Sequence, residues 1–185
     1  MYKECKTKQS ILRQRHIENT LLRMMNNRSL HDIKINELCE EAEIPRKAFY
    51  RYFDSKEDVL YALVDHAFED MISKYDVTTD RNGIIDIDFI EAIFKYWYEH
   101  KDLIQALDGS GFSYLVLERS LYWDLKDIVK GTQNLDEEEI SHRIFMFTGF
   151  YSLIFTWIRF GNKTAREMAE TAIKCLTQPL FKESI

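Results

Sequence analysis

Ile35-Asn36-Glu37-Leu38-Cys39-Glu40-Glu41-Ala42-Glu43-Ile44-Pro45-Arg46-Lys47-Ala48-Phe49-Tyr50-Arg51-Tyr52-Phe53 is the stretch that decides the fold. Its first half predicts a short helix from Ile35 to Ala42, with Ile35, Leu38 and Cys39 inward and Glu37, Glu40 and Glu41 outward. Glu43-Ile44-Pro45 stops that helix after two turns. Pro45 starts a second one, because its fixed φ and missing N–H suit a first helical turn. Over Pro45 to Phe53, the positions of Ala48, Phe49, Tyr52 and Phe53 anchor one face and leave Arg46, Lys47, Tyr50 and Arg51 on the other. Two short helices joined by a tight turn, the second basic, make a helix-turn-helix whose second helix enters the major groove. Arg or Lys near that helix start suits guanine O6 and N7, and a tyrosine hydroxyl or a lysine amine suits phosphate oxygens. Lys56 falls at the N-terminus of the next helix, where an anion is favoured. The competing explanation is an ordinary solvated basic helix.

Working outward, Ile17, Leu21, Leu22, Met24 and Met25 follow the helical period within Lys8 to Asn27, with Arg13, Arg15 and Arg23 on the other face. Asn26-Asn27-Arg28-Ser29 breaks that helix, and Leu30 and Ile33 read as hydrophobic plugs in the loop. A fourth helix opens at Ser55, which can cap the Asp58 N–H, and carries Val59, Leu60, Leu63, Val64, Ala67, Phe68, Met71, Ile72 and Tyr75. So wide an apolar surface implies burial on more than one side. Asp76 to Gly83 is the best candidate loop or boundary. Further helices are expected over about 86–99, 101–107, 112–130, 136–160 and 164–178. Tyr2 to Lys8 reads as a frayed terminus, with a basic arm reaching the minor groove as the alternative.

Composition agrees with an all-helical protein. The chain has 185 residues, 45% hydrophobic and 30% charged, enough to bury a core. Its 6 glycines all lie after residue 82 and it has 2 prolines, too few turn formers for an all-β fold. The longest uncharged run, Ile144 to Ile158, is 15 residues, short of the roughly 20 that span a bilayer, so a cytoplasmic protein without membrane partners is expected. Cys5, Cys39 and Cys175 are odd in number and far apart, which fits reduced thiols. Net charge is −6, but residues 1–56 hold 12 Lys and Arg against 8 Asp and Glu, while the rest holds 13 against 23. A basic head on an acidic body fits a head that meets a polyanion. His16, His31, His66, His100 and His142 are dispersed, no Cys-x-x-Cys occurs and no glycine-rich loop follows a strand. No catalytic residue, metal or cofactor is expected, and Asp136-Glu137-Glu138-Glu139 reads as a favourable helix start.

The quoted stretch, followed by Ser55-Lys56-Glu57-Asp58-Val59-Leu60, resembles the N-terminal domain of the TetR family of bacterial transcriptional regulators over roughly residues 8–65. The resemblance implies an all-α fold: an N-terminal three-helix DNA-binding domain (1–54), a connecting fourth helix (55–75) and a larger helical domain (55–185) for ligand binding and dimerisation. It implies a homodimeric regulator, expected to be a repressor, that binds palindromic double-stranded operator DNA and is released by a small-molecule effector. Tyr50 and Lys56 match residues that hold phosphates in that family; Arg46, Lys47 and Arg51 match positions facing bases or backbone. Three positions depart from its pattern. Glu43 stands where glycine is common, at a penalty of order 1 kcal/mol if the backbone is left-handed. Pro45 replaces a Ser or Thr cap, and Lys34 stands where a capping Thr is usual and could meet phosphate through its charge. The alternative is a helical ligand-binding or adaptor protein that has lost sequence-specific DNA binding.

In the body, Tyr96, Trp97, Phe112, Tyr122, Trp123, Phe147 and Phe150 are candidate linings of an effector pocket, although core packing is the stronger explanation of any one of them. The helix over 136–160 has two apolar rows: Ile140, Ile144, Phe147, Tyr151, Ile154 and Ile158 in one, Met146, Phe150, Leu153 and Trp157 in the other. A helix apolar on both sides faces two partners. Ile144, Tyr151, Ile154 and Ile158, with Met168 and Ala172 of the last helix, are the expected dimer seam, a monomeric helical core being the alternative.

Overall fold

The computed structural model describes residues 2–75, 86–129 and 136–177, and among them every regular element is helical. The elements are α1 (Lys8–Met25), a 3-10 turn (Leu30–Asp32), α2 (Ile35–Glu41), α3 (Arg46–Phe49), α4 (Lys56–Tyr75), α5 (Ile87–Glu99), α6 (Lys101–Gly109), α7 (Tyr114–Val129), α8 (Glu137–Phe160) and α9 (Ala165–Thr177). The expected 76–83 loop lies outside the described residues.

Helix starts follow the local side-chain chemistry. Thr7 and Ser10 satisfy each other's backbone N–H groups at α1, both at 3.2 Å. At α4, Ser55 Oγ accepts from the Asp58 N–H at 3.1 Å, as the sequence implied, and the Asp58 carboxylate accepts from the Asp54 and Ser55 N–H groups at 3.1 and 3.2 Å. Burial pushes the Asp58 carboxyl up, but hydrogen bonds that include those two prevail and hold it below the usual aspartate range. Asp136 and Glu139 form the same reciprocal box at α8, at 2.8 and 3.1 Å. The acidic run there is a cap.

The chain forms two compact units that interleave along the sequence. The first comprises residues 1–69 and 102–119; its core holds Ile17, Leu21, Leu30, Ile33, Leu38, Phe49, Phe53, Val59, Val64, Leu107 and Leu115, all fully or almost fully buried. The second comprises residues 70–101 and 120–185, in which α5 packs on α9 and α8. There Phe94 meets Phe150 and Trp157 with ring centroids 6.3 and 5.7 Å apart, and Arg166 holds Asp88 and Glu91 at 2.5 and 3.0 Å.

Gly161 ends α8, and a Cβ there would lie 2.3 Å from Trp157 Cδ1 and 2.7 Å from its carbonyl oxygen. Only glycine fits that approach, which lets the Trp157 indole N–H donate to the Lys163 carbonyl at 2.9 Å.

Candidate nucleic-acid interface

The turn between α2 and α3 resolves the departure at Glu43. Its φ is +51°, in the left-handed region that glycine adopts without strain. The Ile44 N–H donates to the Cys39 carbonyl at 2.9 Å, closing α2, and Pro45 then caps α3 in an extended conformation. Pro45 is therefore the residue before the helix rather than its first member.

The sequence predicts a helix over 45–53, whereas α3 is a single α-turn, Arg46–Phe49. Beyond it the hydrogen bonds tighten: Arg51 N–H donates to Ala48 O at 3.3 Å and Tyr52 N–H to Phe49 O at 2.9 Å, while Phe53 N–H also reaches Phe49 O at 3.1 Å. Inward demand explains the change. Phe49, Tyr52 and Phe53 are all buried, and the tighter winding serves three apolar residues within five positions. Ala48, expected as an anchor, is only half-buried.

Opposite these anchors, Arg46, Lys47, Tyr50 and Arg51 are exposed. The Arg46 guanidinium donates to the Tyr50 hydroxyl at 3.1 Å and sits 5.7 Å over its ring, so the two side chains orient each other one turn apart. Lys34 is exposed at the start of α2, where its backbone N–H donates to the Glu37 carboxylate at 2.9 Å. That bond, together with the neighbouring Arg28 and Lys34 charges, holds the Glu37 carboxyl below its ordinary range.

Lys56 requires a correction. Instead of standing free for an anion, its ammonium donates to three backbone carbonyls, of Leu30, His31 and Ile33, at 2.7, 3.2 and 2.9 Å. An ammonium has three protons, and all three are engaged. Lys56 clasps the loop before α2 to the start of α4. Beside it is an open depression of about 440 Å³, lined by His31, Lys34, Asn36, Arg46, Ser55 and Lys56 together with Asp54 and Glu57. The sequence reading missed His31 and Asn36; their proximity to Lys34 was the available signal.

The residues named for the body are divided between core and surface. Tyr96 and Trp97 are buried and packed edge to face on each other, and Tyr96 also stacks on His100 at 4.1 Å: these are core contacts. Phe150, half-buried, meets Phe94; Tyr122 is exposed, and Trp123 and Phe147 are half-buried. Phe112 belongs to the first unit and the other six to the second. Of the expected dimer seam, Ile154, Met168 and Ala172 are buried within the single chain, Tyr151 and Ile158 are half-buried, and Ile144 is exposed. Packing of α5, α8 and α9 on one another within one chain accounts for the buried three.

Residues 19–63 match the family model described as bacterial regulatory proteins, tetR family. The curated HTH-type dhaKLM operon transcriptional activator DhaS of Lactococcus lactis is 29% identical over 66 residues, covering 36% of this chain and 35% of that protein. Among solved structures, Lin0861 from Listeria innocua aligns with a TM-score of 0.72 at 15% identity over 95% of both chains. A TetR transcriptional regulator from Streptococcus agalactiae aligns at 0.62 and 16% identity, covering 91% of this chain and 96% of that one. Thermus thermophilus FadR, a TetR family transcriptional repressor in complex with lauroyl-CoA, aligns at 0.52 and 14% identity, covering 93% and 97%. The helix-turn-helix segment carries the match to the tetR family model, and the described residues share the fold of these solved neighbours.

Proposed function

We propose that this protein is a cytoplasmic transcriptional regulator that binds operator DNA as a homodimer, inserting the exposed face of α3 into the major groove. The observation that carries this reading is the division of labour in one turn: Phe49, Tyr52 and Phe53 are buried while Arg46, Lys47, Tyr50 and Arg51 stand in solvent. Arg46 and Lys47, at the start of α3, are the base readers, and Tyr50, Arg51 and Lys34 hold phosphates. Binding at two successive major grooves, about 34–36 Å apart, requires a two-fold assembly and a palindromic site. The contact between subunits is assigned to α8, where Ile144, Phe145 and Phe160 are exposed apolar residues.

DNA occupancy is read as repression, relieved when a small molecule binds the second unit and disfavours the DNA-bound arrangement. Effector and operator then weaken each other reciprocally, by a coupling typically of about 1–3 kcal/mol. The opposite regulatory sign is favoured by the Lactococcus lactis relative, which is described as an activator. Selecting bound fragments from random DNA with the purified protein tests the core of the reading. A two-fold symmetric consensus supports it, and a fragment pool without enrichment favours the adaptor alternative. A reporter placed behind the selected site then separates repression from activation.

A further inference from the structure

Residues Tyr2 and Lys3, expected to fray, are bonded at both ends. The Tyr2 hydroxyl donates to Asp65 Oδ2 of α4 at 2.8 Å, and its ring packs edge-on against His66 with centroids 5.8 Å apart. Asp65 is 2% exposed and is also held by Arg119 of α7, whose Nε and Nη2 donate to its two oxygens at 2.5 and 2.9 Å. One residue further on, every polar group of Lys3 is directed at the end of the recognition turn or at α1. Its backbone N–H donates to the Tyr52 carbonyl at 2.9 Å, its ammonium to the Tyr50 carbonyl at 2.8 Å, and Asp54 lies 3.5 Å from that ammonium. Its carbonyl accepts from the buried Gln14 amide of α1 at 3.2 Å. All of these residues lie in the first compact unit.

We propose that Tyr2 and Lys3 form a strap that positions the recognition turn, tying the carbonyls of Tyr50 and Tyr52 to the Asp65–Arg119 pair. The strap rests on the reading that α3 meets DNA, and it adds two positioning residues that touch no nucleotide. The geometry is specific to that task. Tyr50 and Tyr52 lie near the end of the turn before the chain leaves for α4, where the hydrogen bonds have already shortened to the tighter pattern. A strap bonded there sets how Tyr50 and Arg51 are presented. Its far end lies on Asp65, which Arg119 grips, so a shift of Arg119 along α7 reaches the recognition turn through a continuous series of hydrogen bonds. Tyr2 is a donor throughout, since burial first and the Asp65 carboxylate second push its phenol far above the ordinary tyrosine range.

The test uses the full-length protein carrying Tyr2→Phe together with Lys3→Met, which remove the hydroxyl and the ammonium but keep ring and stem, and separately Arg119→Gln. Hydrogen exchange is read without DNA and operator affinity with it. Both variants are expected to speed exchange of the Tyr52 and Phe53 amides by about threefold to tenfold, the scale of one or two lost hydrogen bonds, with the Leu21 amide of α1 unchanged. The double variant is expected to bind a selected operator more weakly by a similar factor, with the same salt dependence as wild type. Unchanged exchange at the turn overturns the strap, as does a uniform rise across α1 and α4, which means general loosening. An affinity loss with a salt slope shallower by about one makes Lys3 a phosphate ligand and also overturns it. If the wild type selects no DNA, the DNA reading fails while the exchange measurement still decides the strap.

Discussion

Lys56 shows how much one side chain's role depends on what its backbone surroundings offer. At the first residue of a long helix its charge faces the unfavourable end of the helix dipole, so a bound anion is one way to compensate it. Here three carbonyls do so instead, from residues 26, 25 and 23 positions earlier. Replacement by Met removes three bonds to a charged donor while keeping the stem. A loss of about 1–3 kcal/mol of stability is expected in chemical denaturation. Operator affinity should fall through disorder of the loop that carries Lys34, with a salt slope near that of wild type; a slope lower by a full unit would return Lys56 to the phosphate contacts. Asp58, beside it, makes a pH-dependent contribution of defined sign. Its folded carboxyl titrates below the ordinary value of 3.8, so the unfolded chain binds the proton first. The stability it supplies is fully present above that value and drains away as pH falls through the lower folded value. The melting difference between wild type and Asp58→Asn should therefore narrow below about pH 4; a constant difference down to strongly acid pH would contradict the assignment.

At the scale of elements, the sequence made some features legible and hid others. Glu43 could be identified as the residue in the glycine position, and its φ of +51° follows from the need to turn two helices sharply against each other. The anchoring of the recognition turn by Phe49 and Phe53 was equally plain, because aromatic residues four apart on one face have nowhere else to go. The length of α3 was not legible. Choice between hydrogen bonds three and four residues back depends on what Tyr52 must pack against, which is a tertiary demand. Nor was the strap, since Tyr2 and Asp65 are 63 positions apart and no periodicity links them. Gly161 belongs with the features whose reason appears only in three dimensions. Gly161→Ala places a Cβ against the buried Trp157 and is expected to cost about 1–3 kcal/mol in chemical denaturation. Wild-type stability in that variant would show that the indole can yield.

For the whole molecule, the basic excess is confined to the start of the chain, whereas the compact unit that contains it also takes in the acidic stretches 57–69 and 102–119. Residues 1–56 carry a net +4 on a chain of net −6, and these residues lie in the compact unit that holds α3. Screening over about 8–10 Å lets that basic stretch act locally, as the proposed DNA contact requires, without the acidic remainder cancelling it. The body was read less well. Two apolar rows on α8 imply two kinds of neighbour, but burial does not follow the rows: it varies along the helix, and spacing alone carries no sign of that. Ile154 and Trp157 turned out to face inward, whereas Ile144 and Phe145 face solvent. The aromatic residues behave alike: Tyr96 and Trp97 fill the core, and only burial distinguishes them from Tyr122.

The claim on which the functional reading turns is that Arg46 and Lys47 read bases. Binding-site selection repeated with Arg46→Ala and with Lys47→Ala examines it at the level of single base pairs. Each variant should lose preference at one position of both half-sites, with about 1–3 kcal/mol less discrimination there and the half-site spacing preserved. The same consensus recovered at the same affinity from both variants would remove the α3 face from the interface.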